Sequence, residues 1–304
     1  MRLVFAGTPS VALPALKALL ASSHEVVAVV TRPDAPRGRS KRPTPSDVAA
    51  FASEQGLPVL TPAHPRDEDF VDALTRLSPD ACPVVAYGAL IPQRVLDIPR
   101  FGWINLHFSL LPRWRGAAPV QRAIMAGDAQ TGATTFRLVR ELDAGPVFDQ
   151  VTLPLTGIDT SGEVLDALAA SGADLLLSTL DRLPDLEPVA QPERGVTLAP
   201  KVEAADVRLD WTAPAVVLDR LIRGANPAPI AWTTLDGERL KVLLARPAKA
   251  DGLAPGELRV EKRRVLAGTG DGTLELLTVQ APGKKAMAAP DWSRGLRDVT
   301  PRLI

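Results

Sequence analysis

Unbroken apolar runs alternate with segments of helical spacing through the first two thirds of the chain. Leu3–Ala6 and Val26–Val30 are continuous and rich in β-branched residues, the pattern of strands buried on both faces. Between them the apolar spacing predicts a helix over Ser10–Ala21, with Pro14 in an early turn where proline is tolerated. Further helices are predicted over Ser46–Gln55, Asp67–Leu77, Pro119–Ala126 and Glu163–Leu183. Strands are predicted at Pro58–Leu60, Ala81–Ala86, Trp103–His107, Thr134–Val139 and Val147–Leu153. This alternation implies an α/β fold, a doubly wound and mostly parallel sheet.

The pattern then changes. Pro184, Pro188, Pro192 and Pro200 punctuate a mixed polar stretch that reads as a linker. Beyond it one helix is predicted at Pro214–Arg223, followed by short β-like runs at Ile230–Leu235, Leu240–Ala245, Glu257–Val260, Val265–Gly268 and Leu274–Val279. Asp236-Gly237 and Asp271-Gly272 supply the turns. The expected organisation is a domain over 1–189, a linker over 190–205 and a small OB-like β-barrel domain over 206–304. Such barrels commonly meet nucleic acids, but a purely structural or dimerising appendage stays open, because fold does not fix function.

Charge adds one hint. The 304 residues carry no formal net charge. Residues 206–304 nonetheless hold 16 Lys+Arg against 12 Asp+Glu, leaving 19 against 23 for the remainder. For contact with phosphates the local density of cations matters more than the total. No stretch is apolar enough to span a membrane, which needs about 20 residues. The opening Met1–Pro9 reads as a core strand meeting a turn, not as a signal peptide, so a cytoplasmic protein is expected. Cys82 is the single cysteine, and the three histidines His24, His64 and His107 show no metal-ligand spacing, so no metal is expected.

The first turn, Ala6-Gly7-Thr8-Pro9, lacks the glycine spacing and lysine of nucleotide-binding loops. More informative is Ile104-Asn105-Leu106-His107 and the segment that follows it. Strand alternation places Asn105 and His107 on one face, two residues apart, at the carboxyl end of a predicted strand. In open α/β sheets ligands bind beyond that end. An amide donor beside an imidazole can polarise a carbonyl and hold an oxyanion. Asp143, in the turn Glu141–Gly145, can orient a histidine and take a proton from an attacking amine. Each residue also has a plain structural explanation, as strand-end amide, surface histidine and turn former.

The string Asn105-Leu106-His107-Phe108-Ser109-Leu110-Leu111-Pro112, then Arg115-Gly116-Ala117-Ala118-Pro119 and Leu142-Asp143-Ala144-Gly145, closely resembles the folate-dependent formyltransferase family. Phe5–Pro9, Thr31–Arg39, Arg113–Pro119, Arg223–Pro227 and Ala281–Met287 resemble its tRNA-directed branch, so the likeness runs nearly end to end. The resemblance implies a Rossmann-like catalytic domain that moves a formyl group from 10-formyltetrahydrofolate to the α-amine of initiator methionyl-tRNA, as a monomer and without metal. It implies that Asn105, His107 and Asp143 are catalytic, that Ser109, Leu110, Leu111 and Pro112 line the reduced-folate site, and that the pteridine lies against the backbone near Ala86, Tyr87 and Gly88. Phe108 departs from the glycine or proline frequent in relatives, and Ala228 from a bulkier residue.

Arg32, Arg37, Arg39, Lys41 and Arg42 crowd a Pro/Gly-interrupted loop with the single acid Asp34. By itself such a loop is most often a solvated surface. The resemblance implies that it reaches toward the acceptor stem, and that Lys262, Arg263, Arg264, Lys284 and Lys285 touch the tRNA backbone. Rival readings are transfer to a sugar nucleotide, to glycinamide ribonucleotide or to another small amine, a formyltetrahydrofolate hydrolase, and an idle RNA-binding protein.

Overall fold

In the computed structural model, residues 1–36, 42–250, 252–296 and 302–304 are described. They gather into two compact units. One is made of Met1–Gly116, Thr131–Pro154 and Leu165–Leu198; the other of Ala117–Gln130, Leu155–Val164 and Ala199–Ile304.

The strands run in chain order as β1 (Arg2–Gly7), β2 (Glu25–Val30), β3 (Ala35–Pro36), β4 (Pro43–Thr44), β5 (Val59–Leu60), β6 (Cys82–Val85), β7 (Trp103–His107), β8 (Gln130–Arg137) and β9 (Val147–Pro154). Seven of them form one sheet in the order β5-β2-β1-β6-β7-β8-β9, while β3 and β4 pair with each other. From β5 to β7 the neighbours are parallel, and β8 turns antiparallel to β7. The doubly wound, mostly parallel expectation holds.

Helices α1 (Leu13–Leu20), α2 (Asp47–Glu54), α3 (Glu68–Leu77), α4 (Gln93–Leu96) and α6 (Ser161–Arg182) follow the predicted places, except the short α4. Ser46 caps α2 by accepting from the Ala49 N–H at 2.9 Å, leaving one fewer unpaired donor in the first turn. Alternation along β1 sends Val4 and Ala6 into a cluster with Phe70, Leu74, Val84 and Trp103, whereas Leu3 and Phe5 are buried on the opposite face. Cys82 is buried in the first cluster, and desolvation pushes its thiol pKa well up. Gly172 of α6 lies so close to Leu106 that an added Cβ would stand 2.9 Å from the leucine, which brings the helix onto β7.

In the second unit α5 (Pro119–Ala126) packs on α7 (Ala215–Gly224), and an added Cβ on Gly224 would meet Met125 at 2.7 Å. Around them lie β10 (Ala231–Leu235), β11 (Glu238–Ala248), β12 (Leu258–Val260), β13 (Val265–Gly268), β14 (Thr273–Gln280), β15 (Met287–Ala288) and the short α8 (Ala289–Ser293). The antiparallel order is β10-β11-β14-β13-β12, with β15 on β14. Asp236 and Gly237 both have positive φ, 52° and 78°, as a two-residue hairpin closed by the Leu235–Glu238 pair requires. The chain's last residues join the two sheet edges. Leu303 bridges Leu235, Arg302 bridges Glu257, and Thr234 and Ile304 exchange backbone hydrogen bonds at 3.0 and 2.9 Å. That closure makes the sheet barrel-like and satisfies edge groups that would otherwise invite other strands.

Candidate active site

Strand order reverses between β1 and β6, so the crevice beyond their carboxyl ends is where an open α/β sheet offers room for a ligand. The loops leaving these strands are tied together there. Thr8 Oγ1 donates to the Tyr87 carbonyl at 2.8 Å, with Ala86 and Gly88 at positive φ of 49° and 83°. The Tyr87 ring is buried in the core cluster, so this loop turns mainly backbone toward the crevice. Beside it, β7 carries Asn105 opposite Val84 and ends at His107.

His107 is 6% exposed and stands edge-on to Phe136, with ring centroids 6.3 Å apart. Its Nε2 lies 2.8 Å from the Trp114 carbonyl oxygen. A carbonyl can only accept, so the neutral ring carries its proton on Nε2 and leaves the Nδ1 lone pair free. Nδ1 faces Asp143 Oδ2 at 3.8 Å, and the aspartate oxygen accepts the Gly116 N–H at 2.8 Å. Burial pushes the His107 pKa down, opposed by the Asp143 carboxylate and the Trp114 carbonyl. The net result is a ring kept neutral below the pH where an ordinary histidine protonates, poised to accept a proton at Nδ1 beside an anion that stabilises the charged form. In this tautomer the ring's one proton is already engaged by the Trp114 carbonyl, so the ring has no proton to offer a ligand until Nδ1 is protonated.

The segment after β7 is held by its own polar groups. The buried Ser109 hydroxyl donates to the Arg113 carbonyl at 2.6 Å. Thr134 Oγ1 donates to the Ser109 carbonyl at 2.6 Å and accepts from the Leu111 N–H at 3.2 Å, while Gln150 Nε2 donates to Leu111 O at 3.0 Å. Trp114 has a φ of 64°, and its N–H donates to Thr197 Oγ1 at 2.9 Å. Ser109 and Leu111 are thus structural members of the turn that runs on through Pro112, and the Leu110 side chain lies against Gly132. Sequence reading missed Thr134, Gln150 and the Trp114 carbonyl. A threonine in a strand and a main-chain oxygen carry no distinguishing pattern.

The turn bearing Asp143 is equally constrained. Asp143 has a φ of 47°, and an added Cβ on Gly145 would fall 1.8 Å from the Arg137 carbonyl oxygen. Because that obstacle is backbone, Gly145→Ala is expected to cost about 1–3 kcal/mol, the scale of overpacking. A lowered urea midpoint with an unchanged slope checks this; an unaltered midpoint would contradict the tight approach.

The other residues singled out in the sequence are placed as follows. Arg32 donates from Nη1 to the Ala63 carbonyl at 3.2 Å, and Arg42 is exposed. Arg37, Arg39 and Lys41 lie outside the described residues. Lys262 and Arg263 are exposed in the β12–β13 turn, and Lys284 and Lys285 are exposed between β14 and β15. Val265 pairs with Leu276 and Lys241 with Gln280, so the starts of β11 and β13 and the end of β14 share one end of the barrel. Lys262, Arg263, Arg264, Lys284, Lys285, Arg239 and Lys241 therefore collect there, against Asp236, Glu238 and Glu261. Arg264 is partly offset by its 2.7 Å ion pair with Glu261. Among the described residues no helix is long and apolar enough to cross a membrane, and no group of His, Cys, Asp and Glu could hold a metal ion.

The formyl transferase family profile matches residues 1–180, and the formyl transferase C-terminal domain profile matches residues 201–297. The chain is 58% identical over 301 residues to the methionyl-tRNA formyltransferase of Streptomyces coelicolor, covering 98% of this chain and 97% of that protein. It is 58% identical over 302 residues to the protein of the same name from Nocardioides sp., with 98% and 96% covered. Among solved structures, HypX from Aquifex aeolicus superposes with a TM-score of 0.67 at 22% identity, covering 98% of this chain and 49% of HypX. The sugar 3N-formyl transferase WlaRD superposes with a TM-score of 0.67 at 15% identity, covering 94% and 99%. At such identities the two structures speak to fold alone.

Proposed function

The chain belongs to the formyl transferase family, and on that premise we propose that it transfers the formyl group of 10-formyltetrahydrofolate to the α-amino group of initiator methionyl-tRNA, in the cytoplasm, for translation initiation. The observation that carries the reading is the imidazole of His107, locked by the Trp114 carbonyl so that its free nitrogen faces the Asp143 carboxylate. The full-length likeness to proteins named methionyl-tRNA formyltransferase supports methionyl-tRNA as the acceptor.

The chemistry follows from the protonation state. The neutral amine attacks the formyl carbon, forming the new C–N bond while the carbonyl π electrons move onto oxygen. The Asn105 amide donates to that oxygen. The proton lost by nitrogen passes to His107 Nδ1, and Asp143 stabilises the resulting imidazolium. As the oxyanion collapses, the bond from carbon to the folate N10 breaks and the imidazolium returns a proton to N10. Formylated aminoacyl-tRNA and tetrahydrofolate leave, and the enzyme regains its starting state. The folate is a co-substrate in this scheme, and the β6–β7 edge with Leu110, Leu111 and Pro112 is the proposed place for it.

The cationic barrel end, with the loop from Arg32 to Arg42, is the proposed grip on the tRNA backbone. Contacts to phosphate release counterions, so the tRNA KM is expected to climb steeply between low and physiological salt. The decisive assay incubates the protein with the formyl donor and methionyl-tRNA, with amine-free and sugar-nucleotide controls, across a salt series. Formate released without amine would favour the hydrolase, formylated sugar nucleotide the small-amine enzyme, and a salt-insensitive tRNA KM would remove the proposed grip.

A further inference from the structure

Gln191 lies in the proline-rich stretch after α6, a place that reads from sequence as linker. Its side-chain nitrogen donates to the carbonyl oxygens of Asp143 and Gly145, each at 2.8 Å. Its side-chain oxygen accepts from Arg115 Nε at 3.1 Å and from Nη2 at 2.7 Å. A primary amide offers two N–H donors and one oxygen with two lone pairs, so these four bonds exhaust it. Two carbonyls that only accept and a guanidinium that only donates fix which way the amide points.

The partners are not arbitrary. Both carbonyls belong to the turn that presents Asp143, whose φ of 47° lies in the left-handed region that a residue with a Cβ disfavours. Arg115 directly precedes Gly116, whose N–H binds Asp143 Oδ2 at 2.8 Å. Its own N–H donates to Thr197 O at 2.9 Å, so the arginine is anchored to the same stretch at its backbone as well. A closed circuit results: the Asp143 backbone, Gln191, Arg115, Gly116 and back to the Asp143 carboxylate.

We propose that Gln191 is a positioning residue for formyl transfer, clamping the Asp143 turn by its two carbonyls and tying it through Arg115 to the N–H that binds the carboxylate. The inference rests on the reading of Asp143 as the group that supports proton transfer at His107. It assigns the supposed linker a part in aiming that carboxylate, because a reacting group must be held within a fraction of an ångström of its working place.

The test is a double-mutant cycle on the full chain, read as single-turnover formylation of methionyl-tRNA. Gln191→Met keeps the side-chain volume and loses all four bonds; it is expected to lower the rate by about 10–100-fold with the formyl-donor KM unchanged. Gln191→Glu keeps the acceptor for Arg115 but lacks the donors to the two carbonyls, and a similar loss is expected. In an Asp143→Ala background, Gln191→Met is expected to lower the rate no further, because a residue acting through Asp143 has nothing left to position. Thermal unfolding of each variant accompanies the cycle, and the glutamate variant carries the comparison if the methionine variant does not fold. Losses that multiply independently, no loss with Gln191→Met, or a fully active Gln191→Glu would each overturn the proposal. If Asp143→Ala by itself leaves the rate intact, the reading of Asp143 falls instead.

Discussion

Replacing Asn105 by alanine is expected to lower kcat by about 100-fold or more, the usual scale for loss of one oxyanion donor. The side chain sits on β7 with Val84 of β6 on one side and Phe136 of β8 on the other, at the carboxyl edge of the sheet. It is only partly exposed, so a donor there works where water competes poorly. The geometry also leaves it little help. The single proton of the neutral His107 ring is taken by the Trp114 carbonyl, and the Gly116 N–H is taken by Asp143. The substitution removes an amide from a strand whose backbone pairing it does not touch, so thermal stability should change little while the kcat loss is large. Steady-state kinetics with both substrates varied separates the cases: an unchanged kcat removes the amide from the mechanism, and a raised formyl-donor KM alone makes it a binding group.

His107→Ala is expected to cost about 10²–10⁴-fold in kcat, the range for a positioned general base. A pH profile tests the same residue without a mutation. In the proposed mechanism the working form is the neutral ring, and burial lowers its pKa from the ordinary value of 6.5. Activity should therefore be full at neutral pH and fall only as pH drops through that lowered pKa, below the range in which an exposed histidine titrates. Asp143 is the charge that raises the pKa against burial. Asp143→Asn should then move the acid limb to still lower pH while reducing the plateau. An acid limb above 6.5, unmoved by Asp143→Asn, would assign the titration to another group.

Much of this molecule is legible in the residue pattern because burial on two faces leaves unbroken apolar runs. Leu3–Ala6 and Val26–Val30 fall within β1 and β2, and Trp103–His107 coincides with β7. The start of β8 was less visible: it begins at Gln130, where Gln130, Thr131 and Gly132 give no apolar signal, although Gly132 is pressed against Val151 O and Leu110. The helix Pro119–Ala126 was predicted with its bounds, yet its place beside α7 was not, since periodicity says which face is apolar and nothing about what covers it.

The sequence by itself determined the strand–helix alternation, the Asp236-Gly237 hairpin and the shared face of Asn105 and His107. Those follow from interactions within a few residues, where steric preference and side-chain period decide the outcome. Only the tertiary structure decided that the Trp114 carbonyl fixes the His107 tautomer, that Asp143 arrives 3.8 Å from the ring, and that Gln191 fastens the aspartate's turn. Each of those depends on main-chain groups or on residues distant in the chain, brought together by packing of the whole sheet, and a main-chain carbonyl has the same signature at every position.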